Sequence, residues 1–277
     1  MFFKTKKSKI ILVLLLVIFI LCIILAGIIY SRYKVKTEKG QGDFSSIEVT
    51  NDDISITVLG YHSINDNENI KDPIIIGKDR LESHLKAIKD LGFITISMKD
   101  LEDYILHDKE IPRKSVLITF DDGYLDNYFN AYPLLKENHM KATIFVISSL
   151  LDKEPFMTKK QVKELSENGI DIESHTFSHV DLDKKSYNEQ KEELQKSKEE
   201  LEKLLCKNVN AIAYPKGLYN EDTINAANDA GYDVGFTVER GYALKKKNRF
   251  KINRVLVDYT YDSNDIRRVL IKSLISK

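Results

Sequence analysis

This chain has little cysteine and no net charge. Of its two cysteines, Cys22 lies inside an apolar run and Cys206 stands alone in the remaining sequence, so a disulfide framework is excluded. Lysine plus arginine and aspartate plus glutamate each number 42, giving a formal net charge of zero and no electrostatic footprint for nucleic acid. No internal repeat is evident. What the 277 residues do have is 43% hydrophobic and 30% charged side chains, enough to bury one full-sized core, and a single α/β domain of that size is ordinary.

Charge is also missing from Ile10 to Tyr30, an uncharged apolar run of 21 residues. At the helical rise such a run crosses a hydrocarbon core of about 30 Å. A cleaved secretory signal has a shorter apolar region, about 7–15 residues, ending at small residues, and Ala26-Gly27 is only a weak cleavage site. Ile20 and Leu21 leave no small residue before Cys22, which argues against a lipoprotein. Lys4, Lys6, Lys7 and Lys9 precede the run while Arg32, Lys34, Lys36 and Lys39 follow it, so charge asymmetry says little about orientation. The expectation is a single-pass protein of the cell membrane. Residues 1–9 form a short cytoplasmic tail, 10–30 an uncleaved transmembrane anchor, 31–53 a polar stalk, and 54–277 a folded extracytoplasmic domain.

From Ile54 onward β-rich runs alternate with helical ones: ISITVLGYH, RLESHLKAIKDLGF, ITIS, MKDLEDYIL, SVLITF, LDNYFNAYPLLKENH, KATIFVIS and so on to SNDIRRVLIKSLI. About seven such alternations argue for a parallel sheet wrapped by helices, open or closed into a barrel. The charged segment from Tyr187 to Leu205 reads as a helix with Leu194, Leu201, Leu204 and Leu205 as its apolar stripe and a solvated opposite face.

In folds of this class the C-terminal ends of the strands carry chemistry. Here they end in Tyr61-His62, Asp121-Asp122-Gly123, Ser174-His175 with His179 beyond, and Tyr214-Pro215-Lys216-Gly217, while the last strand carries Arg254. Two adjacent aspartates at a strand end repel each other unless a positive charge sits beside them. His175 and His179, at i and i+4 on a helical turn, would present two imidazoles on one side. With Asp122 they form a three-ligand metal site that leaves a position for water, and the ion is the missing positive charge. Asp121 could then stay ionised next to it and take a proton from the water.

In this order and spacing TFDDG (Thr119 to Gly123), H-T-x-x-H (His175 to His179) and Y-P-x-G (Tyr214 to Gly217) resemble the motifs of the NodB-type polysaccharide deacetylases, carbohydrate esterase family 4. The resemblance runs from about Ile54 to the C-terminus. It implies a distorted (β/α) barrel, the NodB homology domain, and metal-dependent hydrolysis of N-acetyl groups on a glycan, usually with zinc, cobalt or nickel being alternatives. It also implies Asp121 as general base, Asp122, His175 and His179 as metal ligands, and Thr176 as a hydrogen-bonding support of the histidine loop. Tyr214, Pro215, Lys216 and Gly217 become substrate contacts, with a backbone N–H near Lys216 helping to bind the oxyanion.

The chain departs from the family pattern in three places. Val255-Leu256-Val257 replaces the late leucine-x-histidine, Ala213 replaces the arginine before the Y-P turn, and no tryptophan exists for the motif that normally carries one. The poly-N-acetylglucosamine deacetylases within the family are more similar: they share Y-H-x-I (Tyr61 to Ile64), Y-P-x-G-x-Y-N (Tyr214 to Asn220) and an arginine in the last strand, Arg254. His62 is then expected at the rim of the site, to protonate the leaving amine or to order a loop, and Arg254 to hold Asp121 or a substrate oxygen. His84, His107 and His139 have no partner motif and read as surface residues; Tyr124 and Tyr219 are candidates for sugar stacking. The expected substrate is a β-linked N-acetylglucosamine polymer, either exopolysaccharide or peptidoglycan, with the membrane as the only other partner. The rival reading is a metal-containing glycan-binding module that has lost turnover.

Overall fold

The computed structural model of the protein describes residues 47–66 and 72–276. The expected tail and anchor and most of the stalk lie in residues 1–46, outside the described residues. Among the described residues no helix is long and apolar enough to cross a membrane.

Eight parallel strands follow one another along the chain: β1 (Thr57–Tyr61), β2 (Ile94–Thr95), β3 (Ser115–Phe120), β4 (Thr143–Val146), β5 (Asp171–Ser174), β6 (Ala211–Ala213), β7 (Val234–Arg240) and β8 (Ile252–Leu256). They pair in the order β1-β8-β7-β6-β5-β4-β3, and β3 closes the ring on β1 from Val116 opposite Thr57 to Phe120 opposite Tyr61. β2 pairs with Ser115 and Val116 at the start of β3, while β4 pairs with Thr119 and Phe120 at its end. The result is a closed barrel of seven strands with β2 as a spur; the alternating pattern implies the parallel sheet and the family resemblance its closure. A strand covered on both faces reads as an unbroken apolar run, and all six residues of β3 are buried.

Helices α1 (Lys78–Asp90), α2 (Met98–His107), α3 (Tyr132–Glu137), α4 (Lys159–Glu167), α5 (Tyr187–Leu205), α6 (Glu221–Asp229) and α7 (Ser263–Ser273) form the outer layer and one end. Five of them start from a capping box, at Ser97, Thr158, Ser186, Asn220 and Asp262, which satisfies N–H groups that the helix itself leaves unpaired. Strand side chains alternate between two cores. Val58, Leu117, Phe145, Ala211, Ala213, Phe236 and Ile252 pack with Met98, Leu101 and Tyr104 of α2. Leu59, Val116, Ile118, Ile144 and Ile212 belong to the larger core shared with the outer helices. α2 closes the N-terminal end of the barrel, where the Met98 N–H donates to Asp171 at 2.7 Å. The opposite end, where the strands' C-termini gather, is left for chemistry.

Three details differ from the sequence reading. Residues counted with the stalk enter the fold: Val49–Thr50 pairs antiparallel with Ile111–Pro112. The buried stripe of α5 is Gln190, Leu194, Ser197, Leu201 and Leu205, so two polar residues occupy places that a search for leucines passes over. His84 is not a surface residue. It is fully buried on α1, its Nε2 3.1 Å from the Tyr261 carbonyl and its Nδ1 3.4 Å from the Tyr61 hydroxyl, because α1 and α7 pack face to face across it. His107 and His139 are exposed, as expected.

Burial pushes the His84 imidazole down from 6.5 to about 4. The ring is neutral in both states above pH 6.5, and below it the unfolded chain takes up a proton that the folded chain refuses. Its penalty therefore grows as pH falls from 6.5 to about 4. Asp171 and Glu102, raised by burial to about 6 and about 7, act in the opposite sense, since the folded chain holds their protons more tightly. Comparing two proteins isolates the ring: urea midpoints of parent and His84→Gln should converge as pH falls from 7.5 to 4.5, and parallel profiles would refute the assignment.

Candidate active site

At the end of β3 the Asp121 N–H donates to the Tyr61 carbonyl at 2.8 Å, and the backbone then turns left-handed at Asp122 (φ 72°) and Gly123 (φ 78°). A Cβ at Gly123 would stand 2.9 Å from Val146 Cγ1, so the turn needs glycine there. The turn sends the two adjacent carboxylates to different partners. Asp121 takes a two-pronged contact from Arg254 on β8, Nη1 to Oδ1 and Nη2 to Oδ2, both at 2.7 Å. Arg254 also donates from Nε to the Thr237 carbonyl at 3.0 Å, and it is entirely buried. Burial alone would raise the Asp121 carboxyl; the charge and hydrogen bonds of Arg254 overcome it and hold the group well below the usual carboxylate range.

Asp122 faces the histidines. His175 Nε2 and His179 Nε2 each lie 3.4 Å from Asp122 Oδ1. The His175 Nδ1 is 2.8 Å from the Ala213 carbonyl, which places a proton on Nδ1 and turns Nε2 toward Asp122. Burial, followed by the neighbouring His175, lowers the pKa of His179, favouring its neutral, ligating form. The segment is not the helical turn that the i, i+4 spacing suggests: Thr176 (φ 66°) and His179 (φ 59°) are both left-handed. A β-branched residue in that region costs on the order of 1–3 kcal/mol. Thr176 is held there by its surroundings, its N–H donating to Ser174 Oγ at 3.2 Å and its Oγ1 accepting the His179 N–H at 3.0 Å.

The donor set fits a metal. Two imidazole Nε2 atoms and a carboxylate oxygen converge, a donor set that suits a divalent cation. Around a tetrahedral ion with bonds of about 2.0–2.1 Å, neighbouring donors stand roughly 3.4 Å apart. The separations found from Asp122 are both 3.4 Å, and among the described residues this is the only group of three or more such side chains within metal-binding reach.

The remaining expected residues divide. His62, following β1, brings Nε2 to 3.8 Å from Asp121 Oδ2, with its side chain 16% exposed. Burial lowers its pKa and the two aspartates only partly restore it, so the resting ring favours the neutral form. In the 214–217 turn Lys216 (φ 55°) and Gly217 (φ 68°) are left-handed, and a Cβ at Gly217 would lie 2.2 Å from Val238 Cγ2. The Gly217 and Leu218 N–H groups donate to Tyr214 and Pro215, while the Lys216 N–H finds no acceptor among the described residues. The exposed Lys216 side chain pairs with Asp181 at 2.7 Å.

Three of the expected substrate contacts, Tyr214, Pro215 and Arg254, are buried. The Tyr214 ring is buried, with its hydroxyl donating to the Phe250 carbonyl at 3.1 Å, because Gly235 opposite it leaves room for the ring in the core. Arg254 has no exposed surface to offer a substrate, and of its two expected partners it has Asp121. Tyr124 is half-buried and stacked on Phe156 at 5.4 Å. Tyr219 stacks on Tyr214 at 5.2 Å and donates to Glu239 at 2.6 Å.

Residues that no motif marks also support the site. Ser197 of α5 shares a hydrogen bond of 2.7 Å with Ser174, which in turn holds Thr176. The helical period of α5, followed through polar as well as apolar positions, places Ser197 on the buried face; nothing comparable marks Asn127, whose Nδ2 donates to the His62 carbonyl at 2.7 Å.

Comparison with known proteins agrees with the geometry. Residues 108–235 match the family model "Polysaccharide deacetylase". The chain is 37% identical over 223 residues to YxkH of Bacillus subtilis, provisionally named a polysaccharide deacetylase, covering 80% of this chain and 78% of that one. It is 31% identical to the poly-beta-1,6-N-acetyl-D-glucosamine N-deacetylase of Staphylococcus epidermidis, covering 79% and 82%. Among solved structures, the Streptococcus pyogenes deacetylase PplD in complex with acetate is similar with a TM-score of 0.75 and 31% identity, over 79% of this chain and 99% of that one.

Removing one partner of a buried ion pair leaves the other charge uncompensated, at a cost of about 3–5 kcal/mol. Arg254→Met should therefore lower the free energy of urea unfolding by about that much, and the double variant Asp121→Asn, Arg254→Met should recover part of it. A single-variant loss typical of an exposed pair, about 1 kcal/mol or less, would contradict the buried geometry.

Proposed function

Because the chain belongs to the polysaccharide deacetylase family, we propose that it hydrolyses N-acetyl groups from a β-linked N-acetylglucosamine polymer, with a divalent metal, at the outer cell surface. The observation that carries this reading is the division of labour between the adjacent aspartates: Asp122 completes a metal-ligand set, and Asp121 stands beside it held by Arg254. A module that only bound glycan would have no use for a carboxylate anchored in that way.

Asp122, His175 and His179 would hold the ion, zinc by preference, with cobalt and nickel also suited to two imidazoles and a carboxylate. When bound, it supplies Lewis-acid polarisation of the acetyl carbonyl and a more acidic water. Asp121 takes the proton from the attacking water. Arg254 fixes the direction of that carboxylate and keeps it ionised, at the cost of some basicity. The free Lys216 N–H is available to the oxygen that becomes negative in the transition state. His62 stands within reach of Asp121 and is suited to pass a proton to the departing amine; favouring the neutral form at rest, it would first have to collect that proton during the reaction.

Poly-β-1,6-N-acetylglucosamine is favoured as substrate by the Staphylococcus epidermidis relative, which is named for that polymer. The uncharged run 10–30 would tether the domain to the membrane. Acetate release by the full chain should be abolished by chelator, restored by zinc, and faster on β-1,6- than on β-1,4-linked oligomers. Chelator-resistant release would sink the metal reading, zinc binding without release on either substrate would favour the binding module, and preference for β-1,4 would redirect the substrate assignment.

A further inference from the structure

We propose that Asn127 is a positioning residue for His62, and that the turn after the aspartate pair serves to hold that histidine beside Asp121. The inference rests on the proposed deacetylation, since His62 acquires its importance there.

His62 lies in the short link between β1 and the two-residue strand Ser63–Ile64. That link is bound side chain by side chain to residues 126–130. Asn127, fully buried, donates from Nδ2 to the His62 carbonyl at 2.7 Å. Asp126 accepts the Ser63 hydroxyl at 2.6 Å and the Ile64 N–H at 3.1 Å. Asn130 donates to the Ile64 carbonyl at 2.7 Å. The carbonyl of His62 belongs to the peptide plane leaving its own Cα, so the Asn127 contact restrains the direction from which the imidazole projects.

Two local rules are broken in this segment. Asn127–Ala131 is a π-helical turn, a rare form that recurs at functional sites. Asn127 also uses both amide hydrogens, on His62 and on Asp126 at 3.1 Å, while its Oδ1 is buried with no donor among the described residues. Turning the amide over would set that oxygen against two acceptors, so the orientation is forced. A buried acceptor without a donor is costly, and a residue chosen only to close a loop would avoid it. Departures from local consistency of this sort collect where function overrides it.

The test is a double-mutant cycle on acetate release by the full chain. Asn127→Ala should lower kcat by about 100-fold, the scale expected when a reacting group is misplaced, with KM and zinc affinity unchanged. In the His62→Ala background the same substitution should cost nothing further, because its effect runs through the imidazole. A loss that multiplies with His62→Ala, a parallel fall in zinc affinity, or unchanged turnover would each overturn the proposal. Asn127→Ser, subject to the same outcomes, replaces an alanine variant that does not fold. If the parent releases no acetate, the deacetylase reading fails on its own. The positioning claim is then read from the rate at which diethyl pyrocarbonate modifies His62, followed by peptide mass: faster modification in the Asn127 variant supports it, and an unchanged rate refutes it.

Discussion

Two negative charges on neighbouring residues at the mouth of a closed barrel require two separate positive charges, and much of the site is arranged around supplying them. Asp121 receives a guanidinium from within the barrel, and Asp122 faces two imidazole nitrogens that complete a donor set suited to a cation. The left-handed turn at Asp122 and Gly123 makes the separation workable, because an extended continuation would alternate the side chains in the ordinary way without redirecting the chain. The same device returns at Thr176, His179, Lys216 and Gly217. Of the eight non-glycine residues with left-handed backbones among those described, four (Asp122, Thr176, His179 and Lys216) lie in the three loops around the candidate site.

The barrel interior buries an arginine by giving it acceptors. Arg254 is surrounded by acceptors, with Asp121 on both prongs, the Thr237 carbonyl on Nε and the Thr119 hydroxyl 3.3 Å from Nη1. The alanines at positions 211 and 213 keep part of the lining narrow, and the Phe145 ring lies 5.8 Å from the guanidinium. An anchor of this kind gives the Asp121 carboxylate a fixed direction and holds its charge at the expense of proton affinity.

Much of this was legible in the sequence because it rests on local patterns. Seven alternations of strand and helix become a seven-stranded closed barrel, and motifs at strand ends arrive at one end of it. What stayed hidden depends on tertiary packing. The i, i+4 spacing of His175 and His179 suggests a helical turn, yet Thr176 in a left-handed conformation brings the rings together by another route. Tyr214 and Arg254 carry polar groups that suit a substrate, but long side chains at strand ends can also turn inward when the core offers acceptors. His84 looks isolated along the chain, and only the packing of α1 against α7 buries it. Ser197 and Asn127 lie outside the motifs and gain their roles from the loops they support.

The central claim is that one cation belongs between Asp122, His175 and His179. Anomalous diffraction at the zinc absorption edge, from crystals of the protein grown with zinc, tests it most directly. The account predicts a single strong peak about 2.0–2.1 Å from Asp122 Oδ1 and from both Nε2 atoms, with Asp121 and Arg254 still paired beside it. A peak elsewhere, or these three side chains free of metal while zinc is bound at another place, would contradict it.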